Sequence, residues 1–96
     1  MAYVTISMWE ADDAAVRDAA LENARISIFP AVRALGAVRI RSVALSDTRA
    51  MLITDWPDQA TRDAAMERIQ SMRTETSSAI GIRMTAEHMG EVLLEG

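Results

Sequence analysis

The chain has no cysteine, so disulfides, thiolate metal sites and cysteine nucleophiles are excluded together. It has no lysine either; every basic residue is arginine, which together with abundant alanine reads as coding bias. The single histidine, His88, leaves no pair of imidazoles for a metal centre, so no metal is expected. The glycines stand singly at Gly36, Gly81, Gly90 and Gly96, which excludes a glycine-rich phosphate loop. No serine sits in a nucleophile elbow, and one histidine makes a catalytic triad improbable. No apolar run approaches the roughly 18 residues of a membrane span. The first residues lack the charged-then-apolar pattern of a secretory signal. No membrane partner is therefore expected, and the expected location is cytoplasmic. Ten basic against 14 acidic residues give a net charge of −4, which argues against a nucleic-acid partner.

What remains is ordinary globular composition: 96 residues, half of them hydrophobic and a quarter charged. That length predicts one domain, residues 1–96, with little core to spare, so burial against a partner would add stability. The chain is organised around residues 38–56, VRIRSVALSDTRAMLITDW, two apolar-rich alternating segments either side of a short polar turn at Ser46, Asp47 and Thr48. Period-2 alternation predicts a β-hairpin. Neither segment has a fully charged face, so both faces of the sheet are expected to be covered. The turn has no glycine and leaves the register open, and a slip of one residue exchanges the faces of a strand.

Residues 2–9 alternate Val4, Ile6 and Met8 against Tyr3, Thr5, Ser7 and Trp9, a strand with an aliphatic and a polar-aromatic face. Asp12 or Asp13 then caps a helix whose stripe is Leu21, Ala24, Ile28, Val32 and Leu35, with an Asp13–Arg17 pair one turn apart. Pro30 removes an amide donor, predicting a kink or a restart, and Gly36 sits where a left-handed cap belongs. After the hairpin, Asp55 or Asp58 caps a second helix whose inner side is Ala65, Ile69, Met72, Thr76 and Ile80, with Arg62 and Arg73 mostly elsewhere. Gly81 ends it and residues 82–89 form a fourth strand, which Gly90 breaks or bulges, leaving residues 91–95 as an apolar terminal strand.

The order β-α-β-β-α-β is that of the ferredoxin-like α+β fold. Right-handed crossovers put both helices on one side of the sheet. Choosing the aliphatic residues as the covered set places Val4, Ile6, Met8, Val38, Ile40, Met51, Ile53, Ile82 and Met84 under the helices. Tyr3, Thr5, Ser7, Trp9, Arg41, Val43, Leu52, Thr54, Trp56, Arg83 and Thr85 then lie on the bare side, too apolar to be left wet.

On these residues the chain resembles a known family. Residues 29–56, FPAVRALGAVRIRSVALSDTRAMLITDW, are similar to the helix end, glycine turn and hairpin of the antibiotic biosynthesis monooxygenase-like proteins, and the element order agrees along nearly the whole chain. The resemblance implies a dimeric α/β barrel: two sheets packed bare face to bare face around an interior cavity, the C-terminal strand reaching toward the partner. It also implies a range of activities, among them cofactor-independent oxygenation of quinol-like aromatics, haem degradation and isomerisation; fold carries over further than chemistry. Where an asparagine would serve the oxygenase, the first strand has Ser7, and the only asparagine is Asn23.

Two functions are therefore expected from different classes. One is a cofactor-independent monooxygenase or isomerase of a small aromatic or enolic, anionic compound, needing no cofactor. It would have His88 as base, Arg41 stabilising oxyanion charge, and a pocket of Tyr3, Thr5, Ser7, Trp9, Thr54, Trp56 and Arg83. The other is a non-catalytic ligand-binding or stress-associated homodimer whose cavity is filled by its own side chains. The structural alternatives are His88 as a strand-end residue at the rim, the tryptophans as dimer packing, and the arginines as solvated or paired with Asp55 or Glu87.

Overall fold

The computed structural model describes residues 2–96. Its elements run β1 (Tyr3–Glu10), α1 (Ala14–Asn23), a π-helical turn (Ala24–Ile28), α2 (Phe29–Ala34), β2 (Arg39–Ala44), β3 (Arg49–Trp56), α3 (Gln59–Ile80) and β4 (Arg83–Glu91). The sheet is antiparallel throughout, in the order β2-β3-β1-β4, which is the ferredoxin-like arrangement.

Local chemistry sets the boundaries. Asp13 caps α1 by accepting from the Val16 amide at 2.9 Å, and Asp58 caps α3 by accepting from the Thr61 amide at 2.8 Å and its hydroxyl at 2.7 Å. Arg17 does not pair with Asp13. It bonds Asp18 at 2.8 Å and donates to the Ser46 carbonyl, tying α1 to the hairpin turn. The disturbance expected at Pro30 lies just upstream of it. Phe29 donates to Ala24 across five residues, a π-turn that lets the chain restart as α2 with Pro30 in its first turn, where a missing amide costs little. Gly36 ends α2 with φ of +113°, and a Cβ there would stand 2.6 Å from Thr61 Cγ2, so the glycine also allows the close approach of α3. Gly81 closes α3 at φ of +82°.

Within β1 and β3, sequence parity and structure agree on which residues share a face and disagree on which face is covered; in β2 and β4 the covered residues Ile40 and Ile82 are the expected ones, so Arg41 and Arg83 lie opposite Tyr3, Trp9 and Trp56 and not beside them. Tyr3, Thr5, Ser7, Thr54 and Trp56 are buried under the helices, where Tyr3 and Trp56 pack with Val32, Ala65 and Met72; Leu52 packs against the same cluster. Val4, Ile6, Met8, Met51 and Ile53, expected there, lie on the open face instead. Ile40 and Ile82 are buried as expected, while Val38 is exposed. Hydropathy sets the period of a strand, but its phase is undetermined when both faces are apolar. In β4 a register shift opposite Met8 and Trp9 takes up one extra residue, Thr85, whose hydroxyl donates to the Met8 carbonyl at 3.3 Å. Beyond this bulge Glu87 lies beside Ser7 on the helix side, and His88 lies beside Ile6 on the open side.

The open face is an aliphatic stripe between two charged rims. At one end Glu10 bridges Arg49 at 2.7 Å and Arg83 at 2.6 Å, and Arg83 also holds Asp12 at 3.1 Å. At the other, Asp55 takes Arg39 at 2.9 Å and Arg41 at 3.8 Å. Gly90 does not interrupt β4; it pairs with Val4, and Val92 donates to the Ala2 carbonyl at 2.9 Å, after which Leu93 and Leu94 stand exposed.

Gly36→Ala should cost about 1–3 kcal/mol in urea unfolding, more than Gly81→Ala, because only the former meets a neighbour as well as a left-handed backbone. The Asp58 carboxyl is held below its ordinary pKa, first by the Thr61 amide and then by the Thr61 hydroxyl. Its contribution is thus complete above the ordinary aspartate range and lost as pH falls through the lowered folded value. Asp58→Asn, which keeps a capping acceptor, should flatten the acid limb of stability against pH while changing little at neutral pH.

Candidate functional site

A part-enclosed cavity of about 100 Å³ lies between the sheet and the helix layer, inside one protomer. β1 contributes Thr5, Ser7 and Trp9, and β3 contributes Leu52, Thr54 and Trp56. α1, the π-turn and α2 contribute Leu21, Ala24, Ile28 and Val32, and α3 contributes Arg62, Met66, Ile69, Met72, Arg73 and Thr76. Strand alternation delivers the first set and the three-four spacing of α3 the last. The π-turn widens the helix where Ala24 and Ile28 meet the cavity.

The wall is mostly apolar, with its polar groups in two states. Some are satisfied: Trp9 Nε1 donates to Ser7 Oγ at 2.9 Å. Others are buried without a protein partner, namely Thr5 Oγ1, Trp56 Nε1 and Arg62 Nε. Trp56 is 1 % exposed, and a buried indole N–H normally finds an acceptor. Behind the wall Glu87 Oε2 lies 2.5 Å from Arg73 Nη2 and 3.8 Å from Arg62 Nη2. The Arg73 contact is close but out of line for a hydrogen bond, so it acts as an ion pair. Arg62 also reaches Asp63 at 3.4 Å, and its side chain is only 8 % exposed. Two guanidinium groups thus share one part-buried carboxylate, whose Oε2 is occluded from solvent.

The structure brings together Thr5, Ser7, Trp9, Thr54 and Trp56, five of the residues singled out from the sequence, but under the helices and not between two sheets. Tyr3 is on the same side, buried in the neighbouring core. Arg41, Arg83 and His88 are on the opposite face: Arg41 pairs with Asp55, Arg83 with Glu10 and Asp12, and His88 is exposed on β4. Sequence reasoning missed Arg62 and Arg73. Their signal is spacing, since residues 62, 65, 69, 72, 73 and 76 form one stripe, but arginine in a helix ordinarily belongs to the wet side and masks it.

No protein-family model and no curated protein matches this sequence. Solved structures do match its fold. Over 98% of this chain and 95% of the other it superposes on HapK from Hahella chejuensis with a TM-score of 0.74 at 21% identity. It covers 97% of this chain and 92% of the monooxygenase from the gene ActVA-Orf6 of Streptomyces coelicolor, solved with the ligand Nanaomycin D, with a TM-score of 0.70 at 18% identity. A dimeric ferredoxin-like protein from an uncultured marine organism aligns over 99% of this chain and 98% of its own, with a TM-score of 0.74 at 10% identity.

Thr5→Val, which replaces an unpartnered buried hydroxyl by a methyl, should leave the melting temperature unchanged or raise it. Trp56→Ala should cost about 3–5 kcal/mol in chemical denaturation. The likeness to these structures is one of fold: the chain has the ferredoxin-like architecture that they share, as residues 29–56 led us to expect of an antibiotic biosynthesis monooxygenase-like chain.

Proposed function

We propose that the cavity between sheet and helices binds a small aromatic or enolic molecule and oxidises or isomerises it without a cofactor, in a homodimer built on the open sheet face. The observation that carries this reading is the combination in one small apolar cavity of two tryptophans with buried donors that lack protein partners. Binding cavities are mostly apolar with a few placed polar groups. A volume of about 100 Å³ is below the roughly 150 Å³ of a cavity that accepts benzene, so a single ring would fill this part-enclosed cavity and its substituents would reach toward the open side. The shared fold with a monooxygenase solved with Nanaomycin D supports oxygenation as the first reaction to test. In it a hydroquinone would gain one oxygen atom of O₂ on the ring and leave as the hydroxyquinone. The other oxygen would leave as water, the ring supplying all the electrons. The chain's part would be to desolvate the ring and hold oxyanion charge against arginine.

A second reading, a binding module without catalysis, is favoured by the position of His88. The chain's single imidazole is on the other face of the sheet, so a general base there does not face this cavity. Oxygen uptake with hydroquinone separates the two. Catalysis predicts uptake well above autoxidation, with no oxygen returned by catalase because the second atom leaves as water. Saturable quenching of tryptophan fluorescence without uptake would leave the binding module.

The homodimer rests on the aliphatic stripe of Val4, Ile6, Met8, Met51 and Ile53 between its charged rims, and on the dimeric state of ferredoxin-like proteins with the same fold. Ile6→Asp should convert a dimer into a monomer by light scattering, with the circular dichroism spectrum preserved. An Ile6→Asp protein that stays dimeric would sink this placement.

A further inference from the structure

Of the arginines in the cavity wall, one is closed and one is not. Arg73 has Glu87 at 2.5 Å. Arg62 has a marginal hydrogen bond to Asp63 at 3.4 Å, a loose contact with the already engaged Glu87 at 3.8 Å, and nothing on Nε. A guanidinium offers five donors in a planar fork, and this one is more than nine-tenths buried. Asp63 does little to neutralise it, being more than half exposed to water. With Glu87 engaged by Arg73, the buried charge of Arg62 is poorly compensated, an arrangement that costs stability unless a counter-ion arrives. Two further donors, the Thr5 hydroxyl and the Trp56 indole N–H, belong to wall residues of β1 and β3 and are also unpartnered. Three residues of the cavity wall, one each on β1, β3 and α3, thus carry buried donors without acceptors.

We infer that Arg62 is the anchoring site for the planar oxyanion of the cavity's ligand, a carboxylate or an ionised phenol or enol oxygen carried on a single apolar ring. This rests on the cavity reading proposed above and adds to it the charge state of the ligand and the residue that selects it. The anion completes the fork of Arg62 with charge-assisted hydrogen bonds, and Thr5 and Trp56 supply the neutral donors. Met66, Ile69 and Leu52 enclose the ring. Glu87 is not a ligand group; it neutralises Arg73 and, through its loose contact, competes weakly with the incoming anion for Arg62.

The test is calorimetric titration of the full chain with benzoate, with benzamide as the neutral analogue of the same shape, and with 4-nitrophenolate for the phenolate arm. Either anion should bind more tightly than benzamide. Arg62→Met should weaken that anion roughly 10- to 100-fold, the range expected for losing hydrogen bonds to a charged group, while leaving benzamide unchanged. Without ligand, Arg62→Met should melt at the same or a higher temperature, because it removes a buried charge with poor partners; a structural role predicts a marked fall. Glu87→Gln should tighten the anion by withdrawing its competitor, an effect a merely structural carboxylate would not have. Equal binding of benzoate, 4-nitrophenolate and benzamide overturns the inference and leaves the cavity reading intact, as does undiminished anion preference in Arg62→Met. Binding of none of the probes overturns both.

Discussion

The contact between Arg73 of α3 and Glu87 of β4 closes inside the protein, and the rest of the arrangement follows from where it sits. A carboxylate on the covered side of an edge strand is tolerable only if the helix above supplies a cation, so α3 must present its arginine stripe downward. That in turn makes the covered side of the sheet the one able to live beside charge: Thr5, Ser7 and Thr54, with the tryptophans closing the gaps. The aliphatic residues of β1 and β3 are left for the other face. The β4 bulge belongs to the same constraint, because without the extra residue at Thr85 the parity of Ile82 would place Glu87 outside and His88 within.

Element order, helix caps, glycine turns and the alternation within each strand were all legible in the sequence, since each depends on neighbours within a few positions: Asp13 and Asp58 on their own amides, Gly36 and Gly81 on their own backbone angles. The phase of the strands was not legible. Choosing between Val4-Ile6-Met8 and Tyr3-Thr5-Ser7 as the covered set depends on what α3 brings across the sheet from about 60 residues away. The usual rule that the greasier face is the buried one is a rule about single faces with water behind them. Here it selects the wrong face of β1 and β3, and so sets Trp9 and Trp56 on the same side as Arg41 and Arg83, from which the sheet separates them.

That inversion also separates two roles merged in the sequence reading. With the tryptophans on the bare face, one surface had to make both the subunit contact and the pocket. With the tryptophans under the helices, the cavity lies between the sheet and the helices of one chain, and the open face on the other side is aliphatic. The charged rims fit this division. Glu10 with Arg49, Arg83 and Asp12, and Asp55 with Arg39 and Arg41, are satisfied within the chain and frame the aliphatic stripe, whereas Arg62 in the cavity is not satisfied.

The π-turn at Ala24–Ile28 gives this division its last element. A regular helix running into Pro30 would lose an amide hydrogen bond and gain a steric clash with the preceding turn, and the chain absorbs both by widening. The widened turn falls over the cavity and contributes small Ala24 beside Ile28, so the irregularity that proline imposes is placed where space is useful. The opposite wall is α3, uninterrupted and capped at both ends by Asp58 and Gly81. The cavity therefore has one rigid wall, which holds the charged groups, and one irregular wall made of apolar side chains. In such a chamber the position of an anion is fixed from the rigid side, while the size of what carries it is set by the other.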